Sequence, residues 1–288
     1  MPELPEVEVV KKSLEEKLKN LTIKRVIINN NKLRYKINNK EFHKIKGYRI
    51  ISIKRRSKYL LINLNQNLTI LAHLGMTGKF FVVDNNNNKK KTSFYYSDKK
   101  DESKHDHIIL YFNKGFKLIY NDVRKFGFLK ILKSKDIFKS KHLKFLGPEP
   151  LTQKLNLKYI IKYLFRKKTP IKSLLMDQKF IAGLGNIYCN EILFLCKINP
   201  RRTANNIKKK ELNKIIKFTK IILKKSIIQG GSSIKNFSNV EGVDGKFQQK
   251  FNVYNREKNK CSRKKCFGVI QKILTSNRSS FFCPRCQK

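Results

Sequence analysis

The chain has 288 residues, 40% of them hydrophobic, enough to bury a substantial core and to form one large domain or two. Its 66 Lys and Arg against 20 Asp and Glu give a formal charge of +46, which makes a polyanion the first partner to consider, although the surplus of Lys, Asn and Ile is also what low-GC coding produces. No apolar run reaches the length of a membrane span, the acidic start lacks the order of a signal peptide, and six cysteines suit metal or free thiols better than disulfides; the expected address is the cytoplasm.

From Pro5 to about Leu18, Val7, Val10, Leu14 and Leu18 recur at helical spacing and predict an amphipathic helix. Its approach, MPELPEVE, gathers three glutamates in eight residues of a very basic chain; carboxylates and Pro both suit a helix start, so a purely structural role is open. Segments such as LTIKRVIIN, YRIISIKRRSKYLLINL, LTILAHLGMTGKFFVV, HIILYFN and FKLIYNDVRKFGFLKIL are short, β-branched and broken by Gly or Asn, which predicts an antiparallel sandwich or barrel. The polar stretch from Asp84 to Lys104 reads as an inserted loop that its FYY could anchor. After LGPEPL the pattern turns helical over 154–167, 169–180, 186–196 and 207–228, and the double Gly at 230–231 ends the last helix. Residues 232 to 251 are weakly patterned, as a long functional loop would be.

Cys261, Cys266, Cys283 and Cys286 bracket a hairpin-like stretch with a TSN turn, the arrangement of a four-thiolate structural zinc site. Cys189 and Cys196 have no partner motif and read as packing residues. GLGN at 183–186 lacks the preceding strand of a dinucleotide loop; it reads as a turn feeding a helix N-terminus, where Asn186 and backbone N–H groups can hold a phosphate with Lys168 and Lys172 nearby. In RRSKYLL, strand alternation turns Lys58 to the same inward side as Leu60, and an inward lysine is either paired or functional. Met76 falls on a turn, and Arg124 and Phe126 project to one side; together they could fill the hole left by an extruded nucleotide, or singly Met76 and Phe126 could be core.

MPELPEVE, SKYL, HLGMTG, HDH, DVRKFG, LGPEPL, AGLGNIYCNE, QGGSS and CPRCQK, in that order, resemble the bacterial formamidopyrimidine-DNA glycosylases over essentially the whole chain. The resemblance implies an α+β fold: an N-terminal helix with an antiparallel β-sandwich catalytic domain over 1–146, a helical DNA-binding domain with a helix-two-turn-helix and a lesion loop over 147–251, and a zinc-finger hairpin over 252–288. It implies a monomer that holds one Zn2+ and acts on double-stranded DNA carrying oxidised purines or abasic sites, excising the base and cutting the strand by β- and δ-elimination. The nucleophile is then Pro2, freed by removal of Met1; an α-amino group with a pKa near ~8 keeps a useful neutral fraction. Glu3 is the implied acid/base carboxylate, Lys58 the implied proton donor and phosphate contact of β-elimination, and Arg278 the implied δ-elimination arginine. Glu6 supports the site, through the N-terminus or a helix N–H. His105, Arg124 and Lys168 match DNA contacts, Lys125, Lys172 and Asn186 phosphate ligands, and Met76, Arg124 and Phe126 the void-filling trio; the loop near 232–247 matches the segment that closes over the everted base.

Three features depart from the family pattern. DVRKFG stands for DPRRFG, so Lys125 replaces an arginine and loses bidentate geometry. The first cysteine knuckle is two residues longer, with its Gly shifted to 268, and the Asn/Lys-rich insertion before His105 has no counterpart. An endonuclease VIII-type enzyme for oxidised pyrimidines and a non-catalytic zinc-ribbon DNA-binding protein are the alternatives; ELPEVE and the Met76, Arg124 and Phe126 pattern favour the purine class over the first.

Overall fold

A computed structural model describes residues 1–86, 88–92, 103–231 and 251–288 of the chain. In chain order these residues form helix α1 (Leu4–Leu18), strand β1 (Ile23–Ile28), a short α2 (Asn39–Lys44), β2 (Ile50–Arg56), β3 (Tyr59–Leu64), β4 (Leu68–His73), β5 (Gly78–Val83), β6 (Lys89–Lys91), β7 (Asp106–Phe112), β8 (Lys117–Asp122) and β9 (Phe128–Lys133). Helices α3 (Leu157–Leu164), α4 (Ile171–Met176), α5 (Asn186–Cys196) and α6 (Lys209–Ile228) follow, and then β10 (Gln271–Thr275) and β11 (Arg278–Phe282). They divide into two compact units, the first of residues 1–144 with Gly230 and Gly231, the second of 145–229 and 251–288.

The first unit holds two antiparallel sheets, ordered β1-β7-β8-β5-β6 and β2-β3-β4-β9, over one core to which both contribute. Helix α1 packs on β2 and presents Val7, Val10, Leu14 and Leu18 to that core, the stripe that their spacing predicts. Each such side chain, fully buried, contributes about 1.5–3 kcal/mol, which is what anchors the chain start. The chain crosses between the sheets twice at one end: from β4 to β5 through Leu74–Thr77, and from β8 back to β9 through 123–127. With His73 opposite Phe128 and Gly78 opposite Asp122, the two crossings lie side by side. A Cβ on Gly75 would stand 2.5 Å from Gly127 N, so the turns touch backbone to backbone and glycine is required there.

In the second unit α5 is buried along most of its length, mainly through apolar side chains with Asn190 and Glu191 among them, and is the central helix against which α4, α6 and β11 pack. Cys189 and Cys196 lie in this core, as their isolation in the sequence implies. The other helices are shorter than their patterns. Asn156 caps α3 by accepting the Tyr159 N–H at 2.9 Å, and Arg166, in the left-handed region, bars its extension. Helix α4 stops at Asp177, which turns extended and uses its carboxylate to accept the Lys179 N–H. Gly230 and Gly231 both take positive φ past the end of α6, as expected of a terminator. β10 and β11 pair through Ser276 and Asn277, both at positive φ, the hairpin foreseen at TSN. The FYY of the insertion and the loop near 232–247 lie outside the described residues.

Candidate active site and metal centre

At the start of α1, Glu3 and Glu6 cap each other reciprocally: the Glu3 N–H donates to Glu6 Oε2 at 2.8 Å, and the Glu3 side chain accepts from the Glu6 backbone. Both carboxylates are buried. Burial lowers the pKa of the α-amino group below its ordinary 8.0; Glu3 and Glu6 oppose that shift, and the cations of Lys58 and Arg124 add to it. The amine, two carboxylates, the lysine and the arginine therefore share one electrostatic neighbourhood. In the described chain the amine belongs to Met1, which is exposed over a buried Pro2.

Lys58 is buried, but not by strand alternation. It occupies the second position of the two-residue turn that joins β2 to β3, after a buried Ser57 held at φ +55°. The turn carries the lysine inward; the expected register along the strand does not. Arg55 braces it, donating from Nε to Glu8 Oε2 at 2.6 Å and from Nη1 to Ser57 O at 2.9 Å.

Met76 and Phe126 are 40% and 45% exposed, which overturns a core role for either. The Arg124 guanidinium stacks over the Phe126 ring at 4.6 Å. All three border a cleft of about 520 Å³, together with Met1, Arg34, His73 and Lys125. Asp122, fully buried, ties the two turns that present them: Oδ2 accepts the Gly127 N–H, Oδ1 accepts the Thr77 hydroxyl, and Thr77 Oγ1 accepts the Arg124 N–H. His73 accepts the Gly75 N–H through Nδ1, and burial, then the charges of Lys58, Arg34 and His142, press its pKa down to about 4, so it is neutral near pH 7. Among the described residues, the cleft is thus lined by cations, apolar side chains and a neutral histidine, and by no carboxylate. His105 is half-buried in a short 3-10 turn ahead of β7, and Lys125 sits at positive φ.

The second unit carries the remaining predicted residues. Asn186 is the first residue of α5, half-buried, and takes a long contact from Asn190 Nδ2 at 3.4 Å; Lys168 is exposed on the segment before α4. Lys172 is not a surface phosphate ligand. It is buried, and its Nζ donates to Ser279 O and to Ser280 Oγ, both at 2.7 Å, because α4 turns that face onto the hairpin. Asn190 Oδ1 accepts the Phe281 N–H, and Ser173 Oγ meets Ser276 Oγ at 2.7 Å. Three residues of α4 and α5 therefore hold the hairpin on whose first strand position Arg278 stands exposed. None was singled out for this task by sequence, since the partners lie about a hundred positions apart.

Cys261 Sγ lies 3.8 Å from Cys286 Sγ and Cys266 Sγ 3.7 Å from Cys283 Sγ, and all four sulfurs lie within 4.8 Å of one another. Four sulfurs set tetrahedrally at the usual Zn–S distance of about 2.3 Å would be about 3.8 Å apart, so the cluster fits a metal ion. As a free thiol Cys286 is pushed up to about 12 by burial and by its cysteine neighbours, whereas the Gly268 N–H lowers Cys266; a cation is what would allow such sulfurs to be thiolates together. The shifted glycine is sterically required, because a Cβ at 268 would stand 2.5 Å from Cys283 Sγ. The longer knuckle has its own anchorage: Arg263 Nη2 donates to Phe194 O at the end of α5, with the guanidinium 4.5 Å over the Phe194 ring. Among the described residues, no helix is long and apolar enough to cross a membrane.

Residues 1–129 match the family model described as the formamidopyrimidine-DNA glycosylase N-terminal domain, and residues 146–238 match that of its H2TH domain. A formamidopyrimidine-DNA glycosylase of Ruegeria sp. is 38% identical over 288 residues, and one of Rickettsia bellii 40% identical over 292, each alignment covering 100% of both chains. Among solved structures, a complex of Lactococcus lactis Fpg with DNA containing an abasic site is similar at 32% identity and a TM-score of 0.85 over 99% of each chain. A complex of a mutant of the same protein with Fapy-dG-containing DNA gives 32% identity and a TM-score of 0.86 over 100% of each.

Proposed function

The chain belongs to the formamidopyrimidine-DNA glycosylase family, and on that premise we propose that it excises oxidised purines, 8-oxoguanine and formamidopyrimidines, and then cleaves the abasic strand through Pro2. It is an Fpg-type DNA glycosylase of base excision repair. The observation that carries the finer reading is the shared neighbourhood of the α-amino group, Glu3, Glu6, Lys58 and Arg124 at one end of the first unit.

Removal of Met1 gives that environment to the secondary amine of Pro2. The same burial and cations would favour its neutral form, whose lone pair attacks the sugar C1′ as the base departs with a proton. The sugar ring then opens, the C1′–O4′ bond breaking as O4′ takes a proton, and leaves an iminium that acidifies the adjacent carbon; loss of that proton expels one phosphate, and a second elimination expels the other. In this reading Glu3, next to the amine in the chain, moves protons, and Lys58 meets the reacting sugar or its phosphate. Met76, Arg124 and Phe126, exposed on clamped turns beside a cationic cleft, suit the space left by an everted nucleotide. Arg278 is assigned to the second elimination, and His105, Lys125, Lys168 and Asn186 to the DNA backbone. The relatives' complexes with abasic and Fapy-containing DNA support duplex DNA as the partner.

The four cysteines would hold one zinc ion, which when bound supplies folding energy and fixes the hairpin that presents Arg278. The functional division we propose is catalytic over 1–146, DNA-gripping over 147–251 and zinc-bearing over 252–288, in a monomer working on chromosomal DNA in the cytoplasm.

Borohydride reduction in the presence of abasic DNA tests the nucleophile: a covalent complex is expected, and it should vanish when Met1 is retained. Trapping that survives a blocked Pro2 would defeat the mechanism. Parallel duplexes carrying 8-oxoguanine opposite cytosine or thymine glycol test the lesion class, and preference for the pyrimidine would refute it.

A further inference from the structure

We infer that Arg55, held by Glu8, is a positioning residue that sets Lys58 relative to the catalytic start of α1; the inference rests on the function proposed above. Glu8 lies in the second turn of α1, five positions after Glu3, while Arg55 is the next-to-last residue of β2, three before Lys58. The guanidinium divides its donors between the two elements, Nε to the Glu8 carboxylate and Nη1 to the carbonyl of Ser57. That carbonyl belongs to the peptide bond that enters Lys58, so its direction helps to fix where the lysine side chain departs.

Two features separate this arrangement from an ordinary ion pair. The Arg55 and Glu8 side chains are only 9% and 18% exposed, and a pair removed from water that far is often no better for stability than apolar residues of the same size, which leaves geometry as what it secures. Ser57 also sits at φ +55°, a left-handed conformation that is unfavourable for a residue other than glycine. A turn in that state keeps its shape only if the surroundings hold it, and Arg55 grips the strained residue itself. Lysine at 55 could reach one of the two acceptors but not both, because it has no planar fork.

The acidic opening of the chain thus divides in two. Glu3 and Glu6 satisfy each other at the helix start, and Glu8 reaches across to the strand turn. The reciprocal cap of Glu3 and Glu6 thus sets the nucleophile end, and the grip of Arg55 on Ser57 sets Lys58.

The test is single-turnover cleavage of a duplex with a preformed abasic site, using Arg55→Lys, Glu8→Gln and Lys58→Gln singly and combined. Arg55→Lys should still give the borohydride-trapped complex but should slow strand cleavage roughly 10- to 100-fold, the scale of a misplaced catalytic group. In the Lys58→Gln background it should slow cleavage no further, because its effect runs through Lys58. Glu8→Gln, which keeps shape and loses only charge, should give a smaller loss with the same dependence on Lys58, and it decides the matter if Arg55→Lys fails to fold. Equal losses in both backgrounds, loss of trapping together with cleavage, or no loss in either variant would overturn the inference. If the unaltered chain forms no trapped complex at all, the proposed function fails first, a result distinct from any of these.

Discussion

Replacing Glu191 by glutamine should be among the most damaging single-atom changes available in the second unit. Its carboxylate is buried on α5 and accepts four N–H donors from the segment that leads into the cysteine module: Oε2 takes Asn252 N and Nδ2, each at 2.9 Å, and Oε1 takes Val253 N at 2.9 Å and Tyr254 N at 3.0 Å. Every partner is a donor, so an isosteric amide must turn its own N–H groups toward one of these pairs. Two hydrogen bonds to a charged acceptor are lost, at about 1.5–3 kcal/mol each, or roughly 3–6 kcal/mol in all. Removing a buried charge recovers part of this, which favours the lower half of the range. For a unit of this size that corresponds to a midpoint roughly 10–20 °C lower in thermal unfolding, with metal lost earlier because residues 252–254 no longer hold the module to α5. Asn252→Ala, which removes one donor of the four together with the Oδ1 that accepts from Ser262 Oγ, should cost about 1.5–3 kcal/mol, roughly half as much. If Glu191→Gln unfolds within about 3 °C of the unaltered chain, the carboxylate does not pin this segment and the reasoning is wrong.

Lys172→Met keeps the aliphatic stem and deletes the donors to Ser279 O and Ser280 Oγ, so it should cost about 1–3 kcal/mol and reduce δ-elimination product more than base excision, read from the termini of cleaved DNA on a sequencing gel; an unchanged product ratio would sever Lys172 from Arg278. Removal of the metal by a chelator should abolish duplex binding measured by fluorescence anisotropy, with elemental analysis returning one zinc per chain; binding that survives complete zinc loss would refute the structural role of the cysteine cluster. His73, pressed to about 4 from 6.5, is a base whose folded-state pKa is depressed: the unfolded chain takes up its proton first, so stability present above pH 6.5 is lost as pH falls toward 4. The loss attributable to it has an upper bound of about 3 kcal/mol, and His73→Asn should flatten the dependence of the unfolding midpoint on pH between 6.5 and 5. An unaltered slope in the variant would show that His73 is not the titrating group.

The frame of the molecule was readable because its signals are local. Val7, Val10, Leu14 and Leu18 state their helix by spacing alone, the TSN turn states its hairpin, and four cysteines state their cluster without any knowledge of what surrounds them. What could not be read depends on partners far along the chain. Arg55 and Glu8 are 47 positions apart, and so are Thr77 and Arg124; Lys172 and Ser280 are 108 apart. Lys172 shows the consequence. A lysine ahead of a glycine turn looks like a phosphate ligand until the face of α4 on which it lies is known. Lys58 shows the converse: its burial was anticipated, but from strand alternation, whereas a two-residue turn with a strained serine delivers it.

The scarce charge locates the candidate site better than the abundant one. With 66 cations in the chain, the position of any one lysine says little, and low-GC coding could have put it there. A carboxylate largely withdrawn from water in such a chain has to be held by donors, and following five of them to their donors leads to the functional elements. Glu3 and Glu6 set the helix start beside the α-amino group, Glu8 reaches the turn of Lys58 through Arg55, Asp122 clamps the turns of Met76, Arg124 and Phe126, and Glu191 secures the approach to the cysteine cluster. Each of these acids accepts from backbone N–H groups, or from a side chain that does, or holds a backbone carbonyl through its partner, and so each fixes a loop conformation that local sequence preference would not select. A glutamate-rich opening in a basic protein is therefore a better guide to where precision is needed than any count of its lysines.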